Sequence, residues 1–122
     1  MSDDRQVVDP AAIDRLLEMT GGDPEFLREL ITTYIEDGAA QLVAMRAAVD
    51  KEDPEALVRP AHSLKSNSAS MGAEHLTTLC RALETDARAG RLDGAAERVA
   101  QAAAEFEDVR VALEALDAVG TD

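Results

Sequence analysis

Cysteine occurs once in this chain of 122 residues, tryptophan is absent, and aromatic residues make up only 2%. The single thiol, Cys80, excludes an internal disulfide, and one thiol beside two histidines is too small a donor set for a dedicated zinc site, so no metal is expected. Such cysteine usage fits a reducing cytoplasm. Basic residues are also scarce: 12 Lys and Arg against 25 Asp and Glu give a formal net charge of −13, a field that repels nucleic acid and anionic lipid. No run of about 18 apolar residues is present to span a bilayer. The opening MSDDRQVVD lacks the basic and apolar regions of a signal peptide. These absences point to a cytoplasmic protein with neither nucleic acid nor membrane as partner.

What remains is rich in alanine, leucine, glutamate and arginine and poor in β-branched runs, a composition that favours helix over sheet. Asp9-Pro10, Asp23-Pro24 and Asp53-Pro54 each read as an N-cap followed by proline in the first turn. The first opens a short lead helix with Ile13, Leu16 and Leu17 inward, stopped at Thr20-Gly21-Gly22. A second helix carries Leu27, Leu30, Ile31, Tyr34, Ile35, Leu42, Met45 and Val49 at helical period to Asp50, with Gly38 as a place for a bend. The third has the stripe Leu57, Ala61, Leu64, Ser68 and Met71 and ends at Gly72. A fourth, 73–89, turns Leu76, Leu79, Cys80, Leu83 and Ala87 to one side, with Gly90 as its stop. The last is expected to be capped by Asp93 and to bury Val99, Ala102, Phe106, Val109, Leu113 and Leu116. Short connections favour antiparallel neighbours. The expected fold is all-α: an up-down antiparallel four-helix bundle with a short N-terminal lead helix, one domain over 1–122 with its core at about 10–118, and a monomer, because four helices can cover their stripes within one copy.

The chemistry is expected in 59–72, in the second half of the third helix. At 3.6 residues per turn, Arg59, His62, Lys65, Ser66 and Ala69 share a face turned away from Leu57, Leu64 and Met71. His62 is therefore expected to face water, where a neutral imidazole offers a nitrogen lone pair able to attack phosphorus. A phosphorylated ring would bring close to two negative charges to an acidic protein. Arg59 and Lys65, one turn either side, would each offset this by roughly 1–3 kcal/mol at about 5 Å. The small residues Ser66, Ala69 and Ser70 keep the surface low enough for another globule to approach for in-line transfer. Pro60, about two turns into the helix, is expected to kink it just ahead of His62.

The segment AHSLKSNSASMGAEHLTTLCRALE resembles the signature of histidine-containing phosphotransfer (HPt) domains, with His62, Leu64, Lys65, Ser66, Gly72, Ala73, Leu76, Cys80, Leu83 and Glu84 at the matching positions. About a fifth of the chain carries this motif. The resemblance implies a four-helix bundle, phosphorylation of His62 on Nε2, and exchange with receiver domains of response regulators or of a hybrid histidine kinase. It implies no ATP binding, no autokinase activity and no cofactor of the domain's own, with Mg²⁺ held by the partner receiver. His62 and Lys65 would then carry the transfer, and Arg59, Ser63, Ser66, Ala69, Ser70 and Gly72 would meet the partner. Some members of the family hydrogen-bond the active imidazole with a glutamine from the following helix. Glu84 occupies that neighbourhood here, as a candidate for orienting the ring.

Other readings weigh less. A dimerisation fragment of a sensor histidine kinase would usually show an acidic residue directly after the histidine and a proline a few positions on, but Ser63 follows His62 and no proline comes later. A scaffolding bundle without chemistry would leave the low, cation-flanked face without a purpose. His75 has no cation one turn later and reads as a surface residue, Cys80 as core filler, and Gly21-Gly22 as a helix stop because no Gly-x-Gly-x-x-Gly spacing accompanies it.

Overall fold

The computed structural model describes the backbone of residues 6–120 and the side chains of residues 6–116. Five helices follow one another: α1 (Pro10–Met19), α2 (Pro24–Asp50), α3 (Pro54–Ser70), α4 (Glu74–Arg88) and α5 (Ala95–Gly120). Three begin alike. The carboxylates of Asp9, Asp23 and Asp53 accept from the backbone amides of Ala11, Glu25 and Ala56 at 3.0, 3.0 and 3.2 Å. Each is followed by proline at a position whose missing N–H costs nothing. α5 departs from expectation. Gly94, not Asp93, supplies the first carbonyl, which accepts from Arg98 N–H at 3.1 Å.

The helix ends share a second device. In α3 the amide of Ala73 donates to the Ser68 carbonyl and that of Gly72 to Ala69, the paired bonds of a Schellman motif, with Gly72 at φ 76°. α2 closes by the same two bonds, Asp53 to Ala48 and Glu52 to Val49, but here the left-handed residue is Glu52, at φ 53°. A Cβ at that conformation is sterically crowded.

α3 packs between α2 and α4, α5 closes the ring against both α2 and α4, and α1 lies on α2. The result is the four-helix bundle with a lead helix. The inward stripes meet in one core that includes Met45, Leu57, Leu64, Leu76, Leu83, Val109 and Leu113, all under 3% exposed. Cys80 is buried there, and burial pushes its thiol up to about 12, as suits packing rather than reactivity. Leu116 does not join the core. It is 43% exposed and lines a shallow cleft with Val7, Val8 and Pro10.

Neither Gly38 nor Pro60 interrupts its helix. α2 runs unbroken through Gly38, whose lack of a side chain serves packing: a Cβ there would lie 2.7 Å from Phe106 Cζ on α5. The Phe106 ring is held in turn by Tyr34, with centroids 5.7 Å apart, and the Tyr34 hydroxyl shares a buried 2.8 Å hydrogen bond with Ser68 on α3. α3 likewise stays helical through Pro60, whose ring is buried.

Two stability measurements follow. Gly38→Ala gains about 1 kcal/mol of helix propensity but forces the methyl onto a pinned ring, an overpacking cost of about 1–3 kcal/mol. Chemical denaturation should therefore show net destabilisation, and a stabilised variant would mean that the α2–α5 contact is looser than described. Glu52→Gly should raise stability by about 1 kcal/mol by relieving the left-handed backbone. A loss on denaturant titration would show the strain to be absent.

Candidate functional site

His62 occupies the middle of α3, on the edge that faces away from the core, with 52% of its side chain exposed. Among the described residues, the neighbouring helix supplies its one hydrogen-bond partner. Glu84, in α4, is buried under the rim of the bundle, and its Oε2 lies 2.9 Å from His62 Nδ1. Two cations reach the same carboxylate. Arg88, one turn further along α4, donates to Oε2 from Nε at 3.0 Å and from Nη2 at 2.7 Å. The Lys65 ammonium, from α3, stands 2.7 Å from Oε1, a contact of charge whose angles fall outside hydrogen-bond geometry.

Burial pushes the Glu84 carboxyl upward, but the contacts from Lys65, Arg88 and His62 together outweigh it and bring the group down to about 2. The carboxylate is therefore ionised at neutral pH and can only accept hydrogen bonds. His62 Nδ1 must be the donor. In the neutral ring this tautomer places the lone pair on Nε2, which has no hydrogen-bond partner among the described residues. The arrangement presents an oriented, half-exposed nitrogen nucleophile on a helix that the bundle holds in place.

The rest of the expected face is divided. Arg59, Ser66, Ala69 and Ser70 are exposed along α3 and Ser63 is half-buried beside His62, while the Ser70 hydroxyl donates back to the Ser66 carbonyl at 3.3 Å. Gly72 is a correction. It is buried beneath the lead segment, its carbonyl accepts from Asp9 N–H at 2.9 Å, and a Cβ on it would meet the Ala12 side chain, so α1 covers the surface expected to meet a partner. Lys65, expected as a cation one turn from the imidazole, is three-quarters buried and engaged by Glu84. His75 is exposed at the start of α4, as expected.

Arg88 was not singled out from the sequence. Its signal was legible, since an acid followed four residues later by arginine is a helical ion-pair spacing, but only the fold shows that the acid concerned also holds His62. No group of three His, Cys, Asp or Glu residues able to hold a metal occurs among the described residues, and no helix among them is long and apolar enough to cross a membrane.

Known proteins resemble this chain in sequence and in fold. The crystal structure of histidine-containing phosphotransfer protein B from Pseudomonas aeruginosa PAO1 superposes with a TM-score of 0.85 at 31% sequence identity, covering 91% of this chain and 94% of that one. Multistep phosphorelay regulator 1 of Schizosaccharomyces pombe is 28% identical over 82 residues, and histidine-containing phosphotransfer protein 2 of Arabidopsis thaliana is 26% identical over 96 residues. These alignments take in 66% and 76% of this chain, but only 28% of the first relative and 62% of the second. A family model described as Hpt domain matches residues 29–119, three-quarters of the sequence with α3 and α4 whole, and the chain therefore belongs to the Hpt domain family.

Proposed function

We propose that this protein is a phosphorelay intermediate of two-component signalling that accepts a phosphoryl group on His62 Nε2 from a receiver-domain aspartate and passes it to the receiver domain of another response regulator. The observation that carries this reading is the His62 ring itself: exposed at the surface, fixed through Nδ1 by an ionised carboxylate, and unpartnered at Nε2 among the described residues. In the forward step the Nε2 lone pair forms a bond to phosphorus in line with the acyl-phosphate P–O bond. That bond breaks, and its electron pair returns to the partner's aspartate. The ring gains positive charge, which the Glu84 carboxylate faces through Nδ1–H. The reverse sequence delivers the phosphoryl group onward.

Binding and orientation are what this chain's residues contribute. Glu84 sets the tautomer, Lys65 acts through Glu84, and Arg59 stands exposed on α3 one turn before the acceptor. Ser63, Ser66, Ala69 and Ser70 form the low surface on which the partner docks. Residues 1–122, with the bundle core at about 10–118, work as one monomeric, cytoplasmic carrier domain without autokinase activity, and the Mg²⁺ of the reaction belongs to the partner receiver.

A receiver domain charged with labelled phosphoryl donor, and separately labelled ATP alone, should be offered to the wild-type chain and to His62→Gln. Label stable to alkali and lost in acid should appear from the receiver only, and on wild type only. Labelling from ATP alone, or equal labelling of the variant, would refute the reading. In the same assay Ala69→Trp should slow transfer from the receiver at least about tenfold, a change of about 1.4 kcal/mol, with helicity retained by circular dichroism. Undiminished transfer would move the docking surface elsewhere.

A further inference from the structure

The Glu84 carboxylate serves His62 and Arg88 on one oxygen. Oε2 accepts from His62 Nδ1 at 2.9 Å and from both Nε and Nη2 of Arg88, while Lys65 lies against Oε1. A full negative charge at hydrogen-bond distance from an imidazole favours the doubly protonated ring, and that second proton would sit on Nε2, the nitrogen that must keep its lone pair. Something has to let the carboxylate hold Nδ1–H without drawing a proton onto the other side of the ring.

We propose that Arg88 is a positioning residue for phosphoryl acceptance at His62: its guanidinium anchors Oε2 and takes up enough of the carboxylate's charge that the imidazole stays neutral with Nε2 free. The inference rests on the acceptor role assigned above to His62. The guanidinium suits the task because its planar fork places two N–H donors on one oxygen and keeps its charge at every working pH. It is also well placed. Arg88 is 60% exposed at the end of α4, where it lines a groove with Glu55, Val58 and Arg59 of α3, so its head stays hydrated while its two donors reach the buried acid.

Other charges around the ring leave this role to Arg88. From α3 they are Arg59, exposed and without an ion pair among the described residues, Lys65, committed to the opposite oxygen, and Glu55, two turns before His62. From α4 they are Glu84, Arg88 and Arg81, the last exposed one turn ahead of Glu84. From α2, packed on the other side of α3, Asp37 accepts from Asn67 and Gln41 rather than from the imidazole. Arg88 alone among these donates to the oxygen that His62 uses.

The test uses the full chain as wild type, Arg88→Ala, Arg88→Lys, Glu84→Gln and the double variant Glu84→Gln/Arg88→Ala, with phosphoramidate as the phosphoryl donor. Nε2 attacks its phosphorus, the P–N bond breaks, and the amine leaves as ammonia with the electron pair, so no receiver is needed. Arg88→Ala should move the pH profile of phosphoryl uptake to the alkaline side, with the rate at pH 6.5 down about threefold, within the range of a single exposed charge pair, and no difference at pH 8.5. Arg88→Lys should recover much of the loss. Arg88→Ala should add nothing in the Glu84→Gln background, because the arginine acts through the carboxylate. Nitrogen-15 NMR of the histidine ring across the same pH range should show Nδ1–H in wild type and, in Arg88→Ala, the doubly protonated ring persisting to higher pH. Superimposable profiles for wild type and Arg88→Ala, or an equal shift with and without Glu84, would overturn the proposal. The NMR reading does not depend on phosphorylation, so it separates failure of the Arg88 role from failure of the acceptor role of His62.

Discussion

A single buried carboxylate, Glu84, ties the chemistry of this protein to its fold. An ionised acid away from water costs several kcal/mol unless its oxygens are satisfied, and here the partners come from both sides of one helix pair: His62 and Lys65 from α3, Arg88 from α4. The group that clamps α3 to α4 at the bundle's rim is the group that chooses the imidazole tautomer. Geometry at His62 is thus as rigid as the packing between two helices, and it does not depend on a loop.

That packing is secured on the opposite flank of α3. Tyr34 of α2 reaches across to Ser68 and also stacks obliquely on Phe106 of α5, whose ring fills the space left by Gly38. Since α2 touches both α3 and α5 through these contacts, rotation of α3 about its axis would break a buried hydrogen bond and open a void beside an aromatic ring. The constraint turns His62 outward as firmly as it turns Leu57 and Leu64 inward. α1 completes the arrangement by covering the C-terminal end of α3 at Gly72, so the open part of the helix is the stretch from Arg59 to Ser70.

Charge is distributed to the same end. The sequence carries a formal net charge of −13, yet Arg59 and Lys65 stand one turn either side of His62 on α3, and Lys65 and Arg88 both meet the carboxylate that holds its ring. A phosphoryl group carried on His62, as proposed, would bring close to two further negative charges to an acidic chain and would need such a local counterweight. The acidic surface elsewhere keeps helices soluble without acting on the ring, because exposed charges beyond about 10 Å are screened by salt.

How much of this was legible before the fold was known follows the range of each interaction. Asp-Pro starts, glycine stops, the inward stripes and the outward placement of His62 depend on neighbours within a few residues, and helical periodicity alone determined them. Family resemblance added a candidate for the ring's partner. Tertiary structure decided the matters that join residues distant in sequence: that Glu84, 22 positions on, accepts from His62 and captures Lys65, that Arg88 shares its oxygen, that Gly38 is a seat for Phe106, and that Gly72 lies beneath the lead helix. Backbone periodicity says which way a side chain points, but burial and partnership are properties of the surface it points toward, and that surface exists only once the helices have packed.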